Sequence, residues 1–256
     1  MRIVVFSDVH GKDLSTLESR VLDALGPEDL ILCLGDLDTP ETLKNVKRLQ
    51  DKYNQEEDRM NVLPGNHEFA LVHKEPVITF TDSREITTII REFALYVKRL
   101  HNDPIALEFA KRLIRNPWTI LFLDEPRYGN AYHTLAIHGA LDGDLNSDAK
   151  VAEFEPQSQE ARLWYRLRSR EGHARNFAVM KKSGLRLMIR GHDKEPEFAY
   201  RDTQGRVFSL RGTGAHVLLP DRLHTVTVGP YRNGYYTVID TNFHGYTSPI
   251  VSLRRL

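Results

Sequence analysis

Five short polar clusters each follow an apolar run in this chain of 256 residues: Asp8-Val9-His10-Gly11, Gly35-Asp36-Leu37-Asp38, Gly65-Asn66-His67-Glu68, His138-Gly139 and Gly191-His192-Asp193. Together they offer carboxylates, imidazoles and one side-chain amide, with no thiolate. Oxygen and nitrogen donors of this kind suit Mn, Fe or Zn better than a structural cysteine site would. Any one cluster is common as a turn, so the weight lies in their ordered recurrence. Of eleven histidines, His10, His67, His138 and His192 stand at such positions, beside glycine or Asn66. The other seven, including His73, His101 and His244, read as surface or packing residues.

The elements that must position these clusters are visible as alternating periods. Ile3 to Phe6 and Leu30 to Leu34 are short β-branched or apolar runs, with a helix-like segment from Asp13 to Leu25 between them. Glu41 to Tyr53 has a helical spacing of Leu43, Val46 and Leu49, and Met60 to Leu63 follows as a third buried strand before Pro64-Gly65. This predicts three parallel strands, whose carboxyl ends are where open α/β sheets place ligands.

From Ser83 to Arg115 the period becomes helical, broken at Asp103-Pro104, which predicts a helical insertion within a single domain spanning the chain. It reads either as a lid or as a packed helix pair. Ile120 to Leu123, Tyr132 to Ile137 and Leu185 to Arg190 read as strands, with a basic helical stretch from Gln157 to about Arg170 between the second and third. Short β-branched runs at Val207 to Leu210, Thr225 to Val228, Tyr235 to Ile239 and Ile250 to Leu253 predict a second, largely antiparallel sheet. Core candidates are Ile3, Val5, Ile31, Leu34, Val62, Ile137, Leu187 and Ile189.

The order of the clusters resembles that of the calcineurin-like metallophosphoesterases, D-x-H, G-D, G-N-H-[DE], H-G and G-H, over Arg2 to Lys194. Gly65 to Glu68, Met180 to His192 and the tail Val228 to Tyr236 look like the phosphoprotein phosphatase branch. The resemblance implies a four-layer α/β/β/α sandwich of two mixed sheets. It also implies two divalent metal ions, Mn first and Fe or Zn as alternatives, with Asp8 and His10 on one, Asp36 bridging, and Asn66, His138 and His192 on the other. A water between two such cations can lose a proton near neutral pH and attack phosphorus. His67, next to a ligand, is the candidate general acid, and Arg190 the candidate fork for two phosphate oxygens.

Two departures from the family pattern matter. Lys194 stands where many members have a second histidine, which leaves the first metal fewer protein ligands. The second motif reads Gly35-Asp36-Leu37-Asp38-Thr39-Pro40, with no arginine and its second aspartate one position early. Asp38 is the nearest partner for the His67 imidazole, and before Pro40-Glu41 it reads equally as an N-terminal helix charge. Arg162, Arg166, Arg168, Arg170 and Arg175 read as a replacement phosphate clamp, a binding run for a polyphosphate chain or a solvated face.

The expected activity is phosphomonoester hydrolysis on phosphoproteins or small phosphate esters. A phosphodiesterase or nucleotide polyphosphate hydrolase is the alternative. A non-catalytic interaction protein on this scaffold fits poorly with an intact His67 and six candidate ligands. Lys+Arg and Asp+Glu both number 35, which argues against a general nucleic-acid binder while leaving nucleotides open. Cys33 lies in an apolar run and reads as a buried small hydrophobe. The chain shows neither a secretory signal nor a membrane-spanning stretch, so a cytoplasmic location with no membrane partner is expected.

Overall fold

The structure is a computed structural model that describes residues 1–74, 93–115, 119–123, 133–140, 170–241 and 248–256. Alternation along the strands builds it. In β1 (Arg2–Phe6), Val4 and Phe6 pack towards helices while Ile3 and Val5 pack towards a second sheet, the period of two that sends successive side chains to opposite faces. β2 (Leu30–Cys33) does the same, with Ile31 and Cys33 on the helix side and Leu32 on the sheet side. Burial pushes the Cys33 thiol well above its ordinary pKa.

The first sheet has the order β3-β2-β1-β11-β12-β9, and the second β4-β5-β6-β10-β7-β8. β3 is Met60–Val62, and β1, β2 and β3 run parallel, as expected. β4 (Thr119–Leu123) is antiparallel to β5 (His133–Ile137), which is parallel to β6 (Leu187–Arg190). The later strands do not make a sheet of their own. β7 (Glu197–Arg201), β8 (Val207–Arg211) and β10 (Leu223–Thr227) extend the second sheet, whereas β9 (Gly214–Val217), β11 (Tyr235–Asp240) and β12 (Ile250–Arg255) extend the first. Both sheets are therefore mixed, and the expectation of one antiparallel C-terminal sheet is corrected: β1 and β6 each offer an open edge that a returning strand can pair.

Helices cover both outer faces. α1 (Ser15–Arg20) and α2 (Pro40–Tyr53) lie on the first sheet, with Leu17, Leu43, Val46 and Leu49 buried against Val4, Phe6 and Ile31. Thr39 caps α2 by accepting the Thr42 N–H at 3.2 Å, and Pro40 starts the helix where no donor is needed. α3 is Asn66–His73 and α4 is Pro104–Arg115. Leu100, Ala106, Phe109 and Leu113 join the same core, so the described part of the expected insertion is packed; positions 83–92 lie outside the described residues. α5 (Arg170–Lys182) covers the second sheet through Phe177 and Met180. The layers are α/β/β/α, and all eight core candidates are buried. The basic run through Arg162, Arg166 and Arg168 lies outside the described residues. Among those described, no helix is long and apolar enough to cross a membrane.

Candidate metal centre

The polar clusters lie just past the carboxyl ends of β1, β2, β3, β5 and β6, where parallel strands of the two sheets end at one margin of the sandwich. Tight backbone links bind the loops together. Asp8 N–H donates to Gly35 O at 3.0 Å, His10 N–H to Asp36 O at 3.2 Å and Gly191 N–H to His138 O at 3.0 Å. Asp8, His10, Asp36 and His192 all have φ between 45° and 63°, the left-handed region that non-glycine residues rarely occupy. Glycines permit close approaches here: a Cβ at Gly65 would meet Asp36 Oδ1 at 2.2 Å, and one at Gly191 would meet Ser7 Oγ at 2.0 Å.

Asp36 is the centre of the arrangement. One grouping of donor atoms comprises Asp8, Asp36, His138 and His192, and another comprises His10, Asp36 and His67. Asp36 Oδ2 lies 3.9 Å from both His10 Nε2 and His67 Nε2 and 4.0 Å from His192 Nδ1, and Asp36 Oδ1 lies 3.4 Å from His138 Nε2. Asp8 faces both groupings. Its Oδ1 lies 3.8 Å from His10 Nε2, while its Oδ2 accepts from Ser7 Oγ at 2.6 Å and from the His192 N–H at 3.0 Å.

The tautomers follow from what the outer ring nitrogens touch. His138 Nδ1 faces the Leu34 carbonyl, which can only accept, so Nδ1 carries hydrogen and Nε2 turns inwards. That Nε2 lies 3.0 Å from Asn66 Oδ1, 3.1 Å from His192 Nδ1 and 3.4 Å from Asp36 Oδ1. One N–H cannot satisfy three such neighbours, whereas a cation can. His10 Nδ1 likewise donates to Asp38 Oδ2 at 2.8 Å, which leaves its Nε2 directed at Asp8 and Asp36. The donor set fits divalent cations on both sides of Asp36, with outer groups orienting the imidazoles as metal-ligating histidines require.

The site is electrostatically negative. Burial alone would lower the His138 pKa, but the Asp36 carboxylate raises it to about 9. The same opposition, with Asp36 and Asp38 both attracting the proton, carries His67 up to about 10. Burial would raise Asp38, yet the hydrogen bonds from His10 and His67 hold it at about 2. Cations binding here would displace protons from imidazoles that the carboxylates attract.

His67 has 34% of its side chain open to solvent, against 14% for His10, 2% for Asp36 and 0% for His138. Its Nδ1 lies 3.3 Å from Asp38 Oδ2, and its ring meets His10 edge-on at 4.9 Å. Asp38 is thus brought to His67 as the sequence suggested, and to His10 as well, which it did not. The other oxygen, Asp38 Oδ1, is buried and has no hydrogen-bond partner among the described residues.

Arg190 is not where the sequence placed it. It is fully buried, its Nε donates to Gly139 O at 2.8 Å, and its Nη1 engages Asp193 and, at 3.2 Å, Thr227 Oγ1. The expectation of a fork open to substrate is corrected: the guanidinium ties the loop after β5 to β6 and β10. Sequence reasoning also missed Glu68, whose buried carboxylate accepts from the Asp36, Leu37 and Gly65 N–H groups. A glutamate three residues after a helix N-cap is the available signal.

Comparison with known proteins adds family and fold. The calcineurin-like phosphoesterase family model matches residues 1–196. A metallophosphoesterase from Sphaerobacter thermophilus superposes with a TM-score of 0.61 at 16% identity, covering 100% of this chain and 88% of that one. A cold-active protein-tyrosine phosphatase of a psychrophilic Shewanella superposes at 0.58 with 14% identity, covering 94% and 76%. No curated protein matches the sequence.

Proposed function

Because the chain belongs to the calcineurin-like phosphoesterase family, a family of metal-dependent enzymes, we propose that it is a phosphomonoesterase acting on phosphoproteins or small phosphate esters, nearest to the phosphoprotein phosphatase branch. The observation that carries this reading is Asp36 shared between two groupings of inward-facing donors. The fold it shares with a structure named as a protein-tyrosine phosphatase supports monoester substrates. We assign Asp8 and His10 to one cation, Asn66, His138 and His192 to the other, and Asp36 to both, with Mn the first expectation. Two such cations, when bound, neutralise phosphate oxygens and lower the pKa of a water between them.

The chain's own groups do the rest. Asp38 holds the Nδ1 atoms of His10 and His67, so each ring presents Nε2 to the centre. His67, partly open to solvent and held at Nδ1 by Asp38, donates from Nε2 to the leaving oxygen as general acid. Leu34 O and Glu68 fix the remaining loops, so the donors need no reorganisation when substrate arrives.

The deciding experiment follows p-nitrophenyl phosphate and its bis ester side by side, after chelation and with Mn²⁺ restored. Metal-dependent turnover of the monoester is expected. Preferential turnover of the diester would replace this reading with the phosphodiesterase one, and no turnover of either ester would remove the enzymatic reading.

A further inference from the structure

A phosphate ester bound at this margin would bring charged oxygens that cations alone do not orient. The loop from Gly35 to Pro40 has no arginine, and Arg190 is buried and engaged with Gly139, Asp193 and Thr227. Resting on the phosphoesterase reading above, we propose that Arg232 supplies the guanidinium that binds the phosphate of the substrate.

The placement of Arg232 carries the inference. It sits in a short 3-10 turn, Tyr231–Asn233, between β10 and β11. This turn is fastened to the Asp8 loop at three points: Tyr231 N–H donates to Ser7 O at 2.8 Å, Arg232 N–H to Asp8 O at 3.3 Å, and Tyr231 Oη to Asp13 O at 3.1 Å. The Tyr231 ring is buried edge-on against Phe6, with centroids 6.1 Å apart. Arg232 is thus one backbone hydrogen bond away from the residue whose carboxylate faces both His10 and His192.

Its side chain is exposed and, among the described residues, has no hydrogen bond or ion pair. Elsewhere among the described residues arginines are engaged in ion pairs: Arg2 with Asp29, Arg48 with Glu18 and Arg206 with Asp202. Lys12 and Lys194, two residues beyond His10 and His192, are also exposed and add positive charge to the same rim, with Glu195 beside Lys194 offsetting part of it. An ammonium is a point charge. The planar fork of an arginine matches two phosphate oxygens at once, which singles out Arg232.

The test compares Mn²⁺-loaded wild type with Arg232→Ala, Arg232→Lys and Lys194→Ala. Inorganic phosphate binding is measured by calorimetry, alongside kcat and KM for p-nitrophenyl phosphate, bound Mn and Tm. Arg232→Ala should weaken phosphate binding and raise KM by roughly tenfold or more, with Mn content and Tm unchanged. Arg232→Lys should recover only part of that loss, and Lys194→Ala should shift binding by less than about threefold. Phosphate binding by Arg232→Ala within about twofold of wild type would overturn the proposal, as would a metal-loaded wild type that binds no phosphate. Arg232-dependent phosphate binding in a protein that hydrolyses no ester would keep the clamp and remove the phosphatase reading. Normal turnover with an unaffected Arg232→Ala would do the reverse.

Discussion

Glu68 Oε2 accepts the backbone N–H of Asp36 at 3.0 Å, so a fully buried carboxylate holds in place the residue shared by both donor groupings. The same oxygen accepts from Gly65 at 2.6 Å, and Oε1 accepts from Leu37. Burial and the Asp36 carboxylate push the Glu68 pKa up, so three backbone donors hold together a pair of negative charges that would otherwise separate. Glu68→Gln must turn an NH₂ towards at least one of those N–H groups, which costs about 1–3 kcal/mol. The expected result is a lower Tm and roughly tenfold weaker Mn²⁺ binding, with KM unchanged. Thermal unfolding with and without Mn²⁺ measures both.

Asp38 holds two imidazoles with one oxygen. Asp38→Asn keeps the size but loses the charge that orients and polarises both rings, and kcat should fall about 10- to 100-fold. Restoring activity by raising Mn²⁺ would locate the loss at His10. A loss that persists at saturating Mn²⁺ would locate it at His67.

His67→Ala should retain bound metal and lose about 10²- to 10⁴-fold in rate on esters with poor leaving groups, and much less on p-nitrophenyl phosphate, whose leaving oxygen needs no proton. Full activity on an alkyl phosphate would contradict the general-acid role.

Chelation should lower Tm and abolish turnover together. Restored Mn²⁺ should raise Tm in a concentration-dependent way, towards about 4 kcal/mol of stabilisation at a thousand times its dissociation constant. A Tm indifferent to Mn²⁺ would mean that the Asp36 centre does not hold it.

Away from the site, Glu18 accepts from Arg48 Nη2 at 2.5 Å and Lys52 Nζ at 2.8 Å, joining α1 to α2. Arg48 before all, with Lys52 adding to it against a burial penalty, lowers the Glu18 pKa from its ordinary 4.5 to about 2. A depressed carboxylate contributes stability above its unfolded pKa and loses it as pH falls through the folded one. Because both cations are largely exposed and screened, Glu18→Gln should cost only about 0.5–1 kcal/mol at pH 7. That difference should fade between pH 4.5 and 2, as urea melts across this range would show.

The strands that carry the site were legible because each has apolar residues just ahead of a polar cluster, as Ile3 to Phe6 before Asp8 illustrates. β7 was not legible. It opens with Glu197, a charge that local pattern reads as exposed, whereas in the fold it is buried against His173 at 3.2 Å. The division of the last strands between two sheets depends on pairings such as Arg2 with Asp240 and Thr227 with Arg190, which no local period encodes. Within the site the donor types were readable, but not the direction of each side chain. Arg190 reads as a strand-end cation from sequence, and only the position of Gly139 O shows its guanidinium turned into the protein. Glu68 was passed over because its partners are backbone groups, which sequence does not distinguish.

The left-handed backbone at Asp8, His10, Asp36 and His192 sets heat resistance against activity. Each such non-glycine residue costs roughly 1–3 kcal/mol, a strain that the surrounding loops sustain. Glycine at any of the four would relax the chain while deleting a donor. Laboratory evolution of this protein for thermal survival alone should therefore accumulate glycine at these positions and drift towards a sturdier molecule without chemistry. Keeping the function requires selecting for turnover in the same rounds.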